Sequence, residues 1–142
     1  MATRTSEAQW EGNLRDGAGK LKLGSGALEC AYSFASRFEG GKGSNPEELI
    51  AAAHASCFSM ALSAMLSQAG HAPKRVHTTA KVHIEKVGDG FEITKIELIT
   101  EAEIPGIDDA AFQKIAGEAK VGCPVSKALA AVPLITLDAK LV

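Results

Sequence analysis

The stretch Asn45–Gly70, NPEELIAAAHASCFSMALSAMLSQAG, decides the fold class. It opens with an asparagine able to cap, a proline suited to the first helical position, and two carboxylates, Glu47 and Glu48, at the positive end of a helix dipole. The helix so started is expected to run to about Gln68 and to stop at Gly70, with Pro73 beyond it. From Leu49 to Leu66 no residue carries a formal charge on any face, which predicts a helix buried all round. The run is mostly Ala and Ser with His54 inside it and has no flanking anchors, so a core helix is expected rather than a membrane span. A small domain has difficulty covering such a helix on every side. A second subunit is therefore expected against one face, and small side chains permit its close approach.

Upstream, the first 43 residues hold eight of the fourteen glycines. Short segments between them, Ala8 to Glu11, Lys20 to Leu23 and Ala31 to Phe34, predict a small antiparallel meander with tight turns. A glycine-rich loop from Arg37 to Ser44 then leads into the long helix. Downstream, Val76, Thr78, Ala80, Val82 and Ile84 alternate with His77, Thr79, Lys81, His83 and Glu85, the pattern of a strand with one solvated face. Gly88-Asp89-Gly90 turns the chain into a second strand, from Phe91 to about Glu103, whose apolar phase slips between Ile93 and Ile96; a β-bulge near Lys95 is expected there. Asp108 can cap a helix with Phe112, Ile115, Ala116 and Ala119 on one stripe, and a short helix is expected from Pro124 to about Ala131, ended by Pro133. Leu134 to Leu141 alternates again and should return to the sheet. The layout is β-meander, long helix, β-hairpin, two helices, strand: an α+β domain, expected to occupy residues 1–142 as one domain.

Gross composition narrows the function classes. Hydrophobic content of 46%, charged content of 23% and a net charge of −2 are ordinary for a soluble globular protein and give no electrostatic reason to expect nucleic acid or anionic membrane. The amino terminus has no apolar core of the kind signal peptides carry, so a cytoplasmic location is expected. No phosphate-cradling or dinucleotide glycine motif and no zinc-ligand spacing occurs, so neither a cofactor nor a metal is expected. His77 and His83 would share a strand face but stand ~20 Å apart, too far to chelate one metal.

Chemistry therefore rests on the three cysteines, which in a reducing compartment are more often catalytic or redox-sensing than structural. Cys57 lies ~16 Å into its helix, beyond reach of the terminal dipole, and burial alone would raise its pKa. A reactive Cys57 needs a cation from elsewhere; Arg37 in the glycine-rich loop is a source, with Glu47 on the first turn able to clamp the guanidinium. Cys123, in Gly122-Cys123-Pro124, falls where an N-cap would sit, and unsatisfied amides there lower a thiol pKa. The two are 66 residues apart, so only the fold can join them, and each can also be read as a residue that merely packs. His54, three residues before Cys57, invites a Cys-His reading but lacks an evident orienting partner.

At these residues the chain resembles the OsmC/Ohr family of peroxide-reducing proteins, most closely its OsmC branch. The resemblance is carried by RFEGGKGSNPEELIAAAHASCFSMALS, GFEITKIEL, IPGID and AGEAKVGCPVSKAL, with WEG near the start and ITLDAKL near the end, in order over nearly the whole chain. It implies that Cys57 is the peroxidatic nucleophile, that Cys123 resolves it, and that Arg37 and Glu47 hold and activate the thiolate. The family's glutamate stands ten residues before the nucleophile, as Glu47 does, which makes Glu48 its helix-start neighbour. The Ohr branch has an aromatic residue in place of His54, which weakens histidine as a base, and takes its arginine from a different part of the amino-terminal region. The resemblance further implies an intertwined homodimer with sites near the subunit interface, organic hydroperoxides as substrates with hydrogen peroxide as a further candidate, and a dithiol reductant such as a lipoyl protein. Cys30 belongs to no motif of the family.

The expected reaction is hydroperoxide reduction through a Cys57 sulfenic acid and a Cys57–Cys123 disulfide recycled by a dithiol, with Phe38, Phe58 and Met60 as candidate lining for an organic substrate. Two other classes stand beside it: a Cys-His hydrolase or acyl transferase built on Cys57 and His54, and a non-catalytic small-molecule-binding protein in which the cysteines only pack.

Overall fold

In the computed structural model, which describes residues 2–142, the glycine-punctuated amino-terminal stretch forms three antiparallel strands: β1 (Ser6–Glu11), β2 (Ala18–Leu23) and β3 (Glu29–Tyr32). Gly19 sits opposite both Trp10 and Tyr32 in the ladder, and their rings lie 5.5 Å apart across it. A Cβ there would come within 2.5 Å of the Tyr32 ring, so this crossing requires glycine.

A short helix not anticipated from the sequence, α1 (Phe34–Phe38), follows. Ser33 caps it by accepting from the Ser36 amide at 3.0 Å, while the Ser36 hydroxyl accepts from the Ser33 amide at 2.8 Å. Arg37 and Phe38 thus belong to a helix, and the glycine-rich loop proper begins at Glu39. That loop is itself tied down. The Ser36 hydroxyl donates to the Ser44 carbonyl at 2.7 Å, Asn45 Nδ2 donates to the Ser36 carbonyl at 3.0 Å, and Gly43 has a φ of +104° that favours glycine.

The long helix α2 spans Pro46–Gln68, as its start and stop signals predict, with the Glu48 amide donating to Asn45 Oδ1 at 2.8 Å and Gly70 at a φ of +86° beyond its end. Contacts divide the chain into two units, one up to Leu49 and one over Ile50–Val142.

In the second unit β4 (Arg75–Val87) and β5 (Gly90–Glu103) form the expected antiparallel hairpin. His83 pairs with Lys95 and Ile84 with Ile93, so Thr94 is the extra residue and the bulge falls beside Lys95 as the phase slip predicts. Two helices, α3 (Asp109–Gly122) and α4 (Pro124–Ala128), carry the chain to β6 (Leu134–Leu141), which joins the other edge of β5 in parallel. Asp108 caps α3 as expected, accepting from the Ala111 amide at 2.8 Å. α4 ends at Ala128, before the expected Ala131; its capping residue Leu129 leaves helical geometry, and the chain turns before Pro133.

The core of this unit is Phe58, Leu62 and Leu66 of α2 packed with Ile96, Leu98 and Ala102 of β5 and Phe112, Ala116 and Ala119 of α3. The architecture is the α+β class that the element pattern predicts. Within a single chain α2 is covered along one side. His54, Phe58, Leu62 and Leu66, at a spacing of four, make a single buried stripe, whereas Ala52, Ala53, Ser56, Met60 and Ala64 are exposed. By length and composition α2 could cross a membrane, but His54 and the polar ladder from Ser59 Oγ to Thr78 Oγ1 (2.7 Å) and on to Thr100 Oγ1 (2.9 Å) are features of a helix laid on a sheet.

Candidate active site

Cys123 is placed by a junction of two helices. Its amide donates to the Ala119 carbonyl at 3.0 Å, ending α3, and its sulfur accepts from the Ser126 amide at 3.3 Å, capping α4, with Pro124 at the first helical position. This is the N-cap that the sequence predicts, with sulfur in the role usually taken by a hydroxyl. The residue is fully buried. Burial pushes the Cys123 thiol up, but hydrogen bonds from the Ser126 hydroxyl, the Ser126 amide, Cys57 and the Val125 amide outweigh it, and the net direction is down.

Cys57 stands on α2 beside the buried stripe, half-buried, and its thiol lies close enough to Cys123 for each to shift the other's pKa. The fold therefore brings together two free cysteines 66 residues apart in sequence. Burial raises the Cys57 pKa, the Val125 amide opposes it, and Cys123 raises it further through the shared hydrogen bond and through charge. Of the pair, Cys123 holds the negative charge more readily, because it receives the amides at the start of α4.

His54 is also fully buried, and its Nε2 lies 2.7 Å from Ser126 Oγ. Nε2 is thus committed to the helix that carries Cys123, and among the described residues no hydrogen bond joins His54 to Cys57. Burial lowers the His54 pKa and keeps the ring neutral. Ser126 was not singled out from the sequence; the spacing Cys123-Pro-Val-Ser126 is the N-cap to N3 spacing of a capping box and could have marked it.

In the first unit, Arg37 and Glu47 form the clamp expected of them. Nη2 of Arg37 donates to Oε1 of Glu47 at 2.7 Å, and Nε donates to both carboxylate oxygens at 3.1 and 3.2 Å. The Glu47 side chain is 8% exposed and that of Arg37 38%, so the carboxylate is the fixed member and the guanidinium keeps an open edge. Glu48 is turned elsewhere, accepting from Ser44 Oγ at 2.6 Å, in agreement with the assignment of the first glutamate to the arginine. Beside Arg37 lies an apolar cavity of about 310 Å³ lined by Trp10, Tyr32, Phe34 and Phe38 among others. Of the three expected pocket residues only Phe38 lines it; Phe58 is in the core and Met60 is 75% exposed on the uncovered face of α2.

The remaining candidates are accounted for locally. His83 Nε2 meets Glu97 Oε2 at 2.6 Å, a bond that holds the Glu97 carboxyl below its ordinary pKa. Cys30 pairs with Leu21 across β2 and β3. Among the described residues no group of three or more His, Cys, Asp or Glu could hold a metal.

Known proteins are similar to this chain in sequence and in fold. The family described as OsmC-like protein matches residues 39–138. Peroxiredoxin OsmC of Escherichia coli is 52% identical over 139 residues, covering 97% of this chain and 96% of that protein. An organic hydroperoxide resistance protein of Xanthomonas axonopodis pv. citri is 38% identical over 90 residues, 63% of this chain and 61% of that one. In fold, the organic hydroperoxide resistance protein OhrB of Bacillus subtilis superposes with a TM-score of 0.73 at 24% identity, covering 97% of this chain and 98% of that one. With a family match over residues 39–138 and half-identity to a relative along nearly its whole length, the chain belongs to the OsmC-like family.

Proposed function

We propose that the chain is a thiol peroxidase that reduces organic hydroperoxides to alcohols through Cys57 and Cys123. The observation that carries this reading is the closeness of two free cysteines, each shifting the other's pKa, Cys57 upward and Cys123 downward. The half-identity to a peroxiredoxin and the similarity to organic hydroperoxide resistance proteins support the same chemistry.

The Cys57 thiolate attacks one oxygen of the hydroperoxide. The O–O bond breaks, the departing alkoxide takes a proton and leaves as the alcohol, and Cys57 becomes a sulfenic acid. Cys123 then attacks the Cys57 sulfur as a thiolate; the S–O bond breaks, hydroxide leaves and is protonated to water, and a disulfide remains. A dithiol reductant attacks Cys57, expels Cys123 as thiolate and closes to its own disulfide, which restores the starting state.

Because burial and Cys123 both raise the Cys57 pKa, the first step needs a cation. The resemblance to the family assigns that part, and the steadying of charge on the departing oxygen, to Arg37, which Glu47 clamps. The aromatic cavity beside Arg37 suits the organic group of the substrate. A second copy of the chain covers the exposed face of α2, giving a homodimer, and the reductant is a cytoplasmic dithiol such as a lipoyl-bearing protein.

Steady-state consumption of tert-butyl hydroperoxide with dihydrolipoamide tests the reading; many turnovers per protein are expected, and none with any dithiol would sink it. Arg37→Met is expected to slow sulfenic acid formation in a single turnover by roughly 100-fold. It should leave the disulfide-forming step, followed separately after peroxide is exhausted, near the parent rate.

A further inference from the structure

The cycle above has no use for His54 and Ser126, yet both are buried, and they are joined to the resolving cysteine in one line. His54 Nε2 lies 2.7 Å from Ser126 Oγ, and Ser126 Oγ lies 3.3 Å from Cys123 Sγ. The three side chains come from positions 54, 123 and 126, on α2 and at the start of α4, and exposures of 0, 0 and 6% exclude water from the line.

The direction of the hydrogen bonds follows from the histidine. His54 Nδ1 is buried and has no hydrogen-bond partner among the described residues. A neutral imidazole must place its one N–H on Nδ1 or on Nε2. On Nδ1 the proton would be a buried donor with nothing to accept it, a rarer and costlier condition than an unpaired acceptor. On Nε2 it points at Ser126 Oγ. With Ser126 Oγ already accepting from the ring, the single hydroxyl hydrogen is free to turn to its other neighbour, the Cys123 sulfur.

We propose that His54 and Ser126 form a relay that serves the resolving cysteine: His54 donates from Nε2 to Ser126 Oγ, and Ser126 donates its hydroxyl hydrogen to the Cys123 thiolate. This rests on the peroxidase reading for its purpose. Ser126 touches the reacting sulfur and is a catalytic residue; His54 acts through it and is a positioning residue. In the resolving step the relay keeps Cys123 anionic for attack on the Cys57 sulfenic acid. In the reductive step the same donor meets the thiolate as the disulfide breaks, which makes Cys123 the better leaving group and directs the incoming dithiol to Cys57. The neutral ring, kept so by burial, is suited to this fixed role and not to that of a general base.

The test uses the full chain with Cys57→Ser and Cys30→Ala, so that Cys123 is the only thiol and the measurement is independent of turnover. Thiolate absorbance is followed against pH in this background and with Ser126→Ala, His54→Phe or His54→Gln added. Loss of a hydrogen bond to an anion is worth roughly tenfold or more, so Ser126→Ala and His54→Phe are each expected to cut the thiolate fraction at neutral pH by about that factor. His54→Gln, whose amide can still donate to Ser126, should stay near the background. In the unmutated protein, nitrogen NMR should find His54 neutral with its proton on Nε2. A thiolate fraction unchanged by Ser126→Ala or His54→Phe, or a proton on Nδ1, would overturn the relay. If Ser126→Ala does not fold, the His54→Phe and His54→Gln pair and the tautomer decide the question. Peroxidase activity without the relay signature would refute only the relay, whereas an intact relay in a protein that consumes no hydroperoxide would refute only the peroxidase reading.

Discussion

Replacement of Cys57 by serine is expected to lower hydroperoxide reduction by roughly 10⁴-fold or more, because no second group can take over the attack. Serine occupies nearly the same volume and keeps the hydrogen-bonding position, so the half-buried site on α2 should fold as before; an unchanged far-ultraviolet spectrum and unfolding midpoint would establish that. The loss should appear in the first turnover as well as in the steady state, which separates a missing nucleophile from a missing resolver. Stopped-flow mixing with an organic hydroperoxide measures it. A Cys57→Ser protein that retains even a tenth of the parent rate would mean that the attacking thiol lies elsewhere.

Cys123→Ser is expected to behave differently at each stage. The first turnover should survive, since the attacking sulfur is intact, but multiple turnover with a dithiol should fall to a few per cent or less, on the order of the uncoupled reaction of a small thiol with a sulfenic acid. Excess peroxide should then carry Cys57 on to the sulfinic acid, which intact mass detects as two added oxygens. The pH dependence of the first step should also shift. Cys123 raises the Cys57 pKa by hydrogen bond and by charge, so its removal lowers that pKa. The rate follows the thiolate fraction and rises with pH through the Cys57 pKa; in Cys123→Ser that rise should therefore occur at lower pH than in the parent. A first step that titrates at the same or higher pH would show that Cys123 does not raise the Cys57 pKa.

Local signals were readable where one short segment contained the whole cause. Asn45-Pro-Glu-Glu set the start of α2 and Gly70 its end, the phase slip between Ile93 and Ile96 located the bulge at Thr94, and Gly-Cys-Pro set Cys123 as a cap. The Arg37–Glu47 clamp was accessible because both members lie within ten residues, although the helix that carries Arg37 was not. Its capping box uses serine at the third position in place of the usual Glu or Gln, which leaves little to notice beside so many glycines.

What depended on distant segments was not readable from the residues alone. The contact between Cys57 and Cys123 requires α2 to lie on the sheet and the α3–α4 junction to return to it, and no spacing over 66 residues encodes that. The resemblance to the family supplied the pairing instead. The parallel pairing of β6 with β5 is likewise a property of the crossover, since an alternating strand looks the same in either direction. Ser126 was missed because a serine in a helix turn is ordinary until a buried histidine from another helix is found bonded to it.

The proposed cycle requires Cys57 and Cys123 to form one redox pair. It is tested most directly by adding one equivalent of an organic hydroperoxide to the fully reduced protein, blocking free thiols, and mapping peptides without reduction. A Cys57–Cys123 disulfide in stoichiometric yield, loss of two hydrogens from the intact chain, and Cys30 recovered as a blocked free thiol are expected. Recovery of Cys57 and Cys123 as blocked thiols, or a disulfide that joins either of them to Cys30, would contradict it.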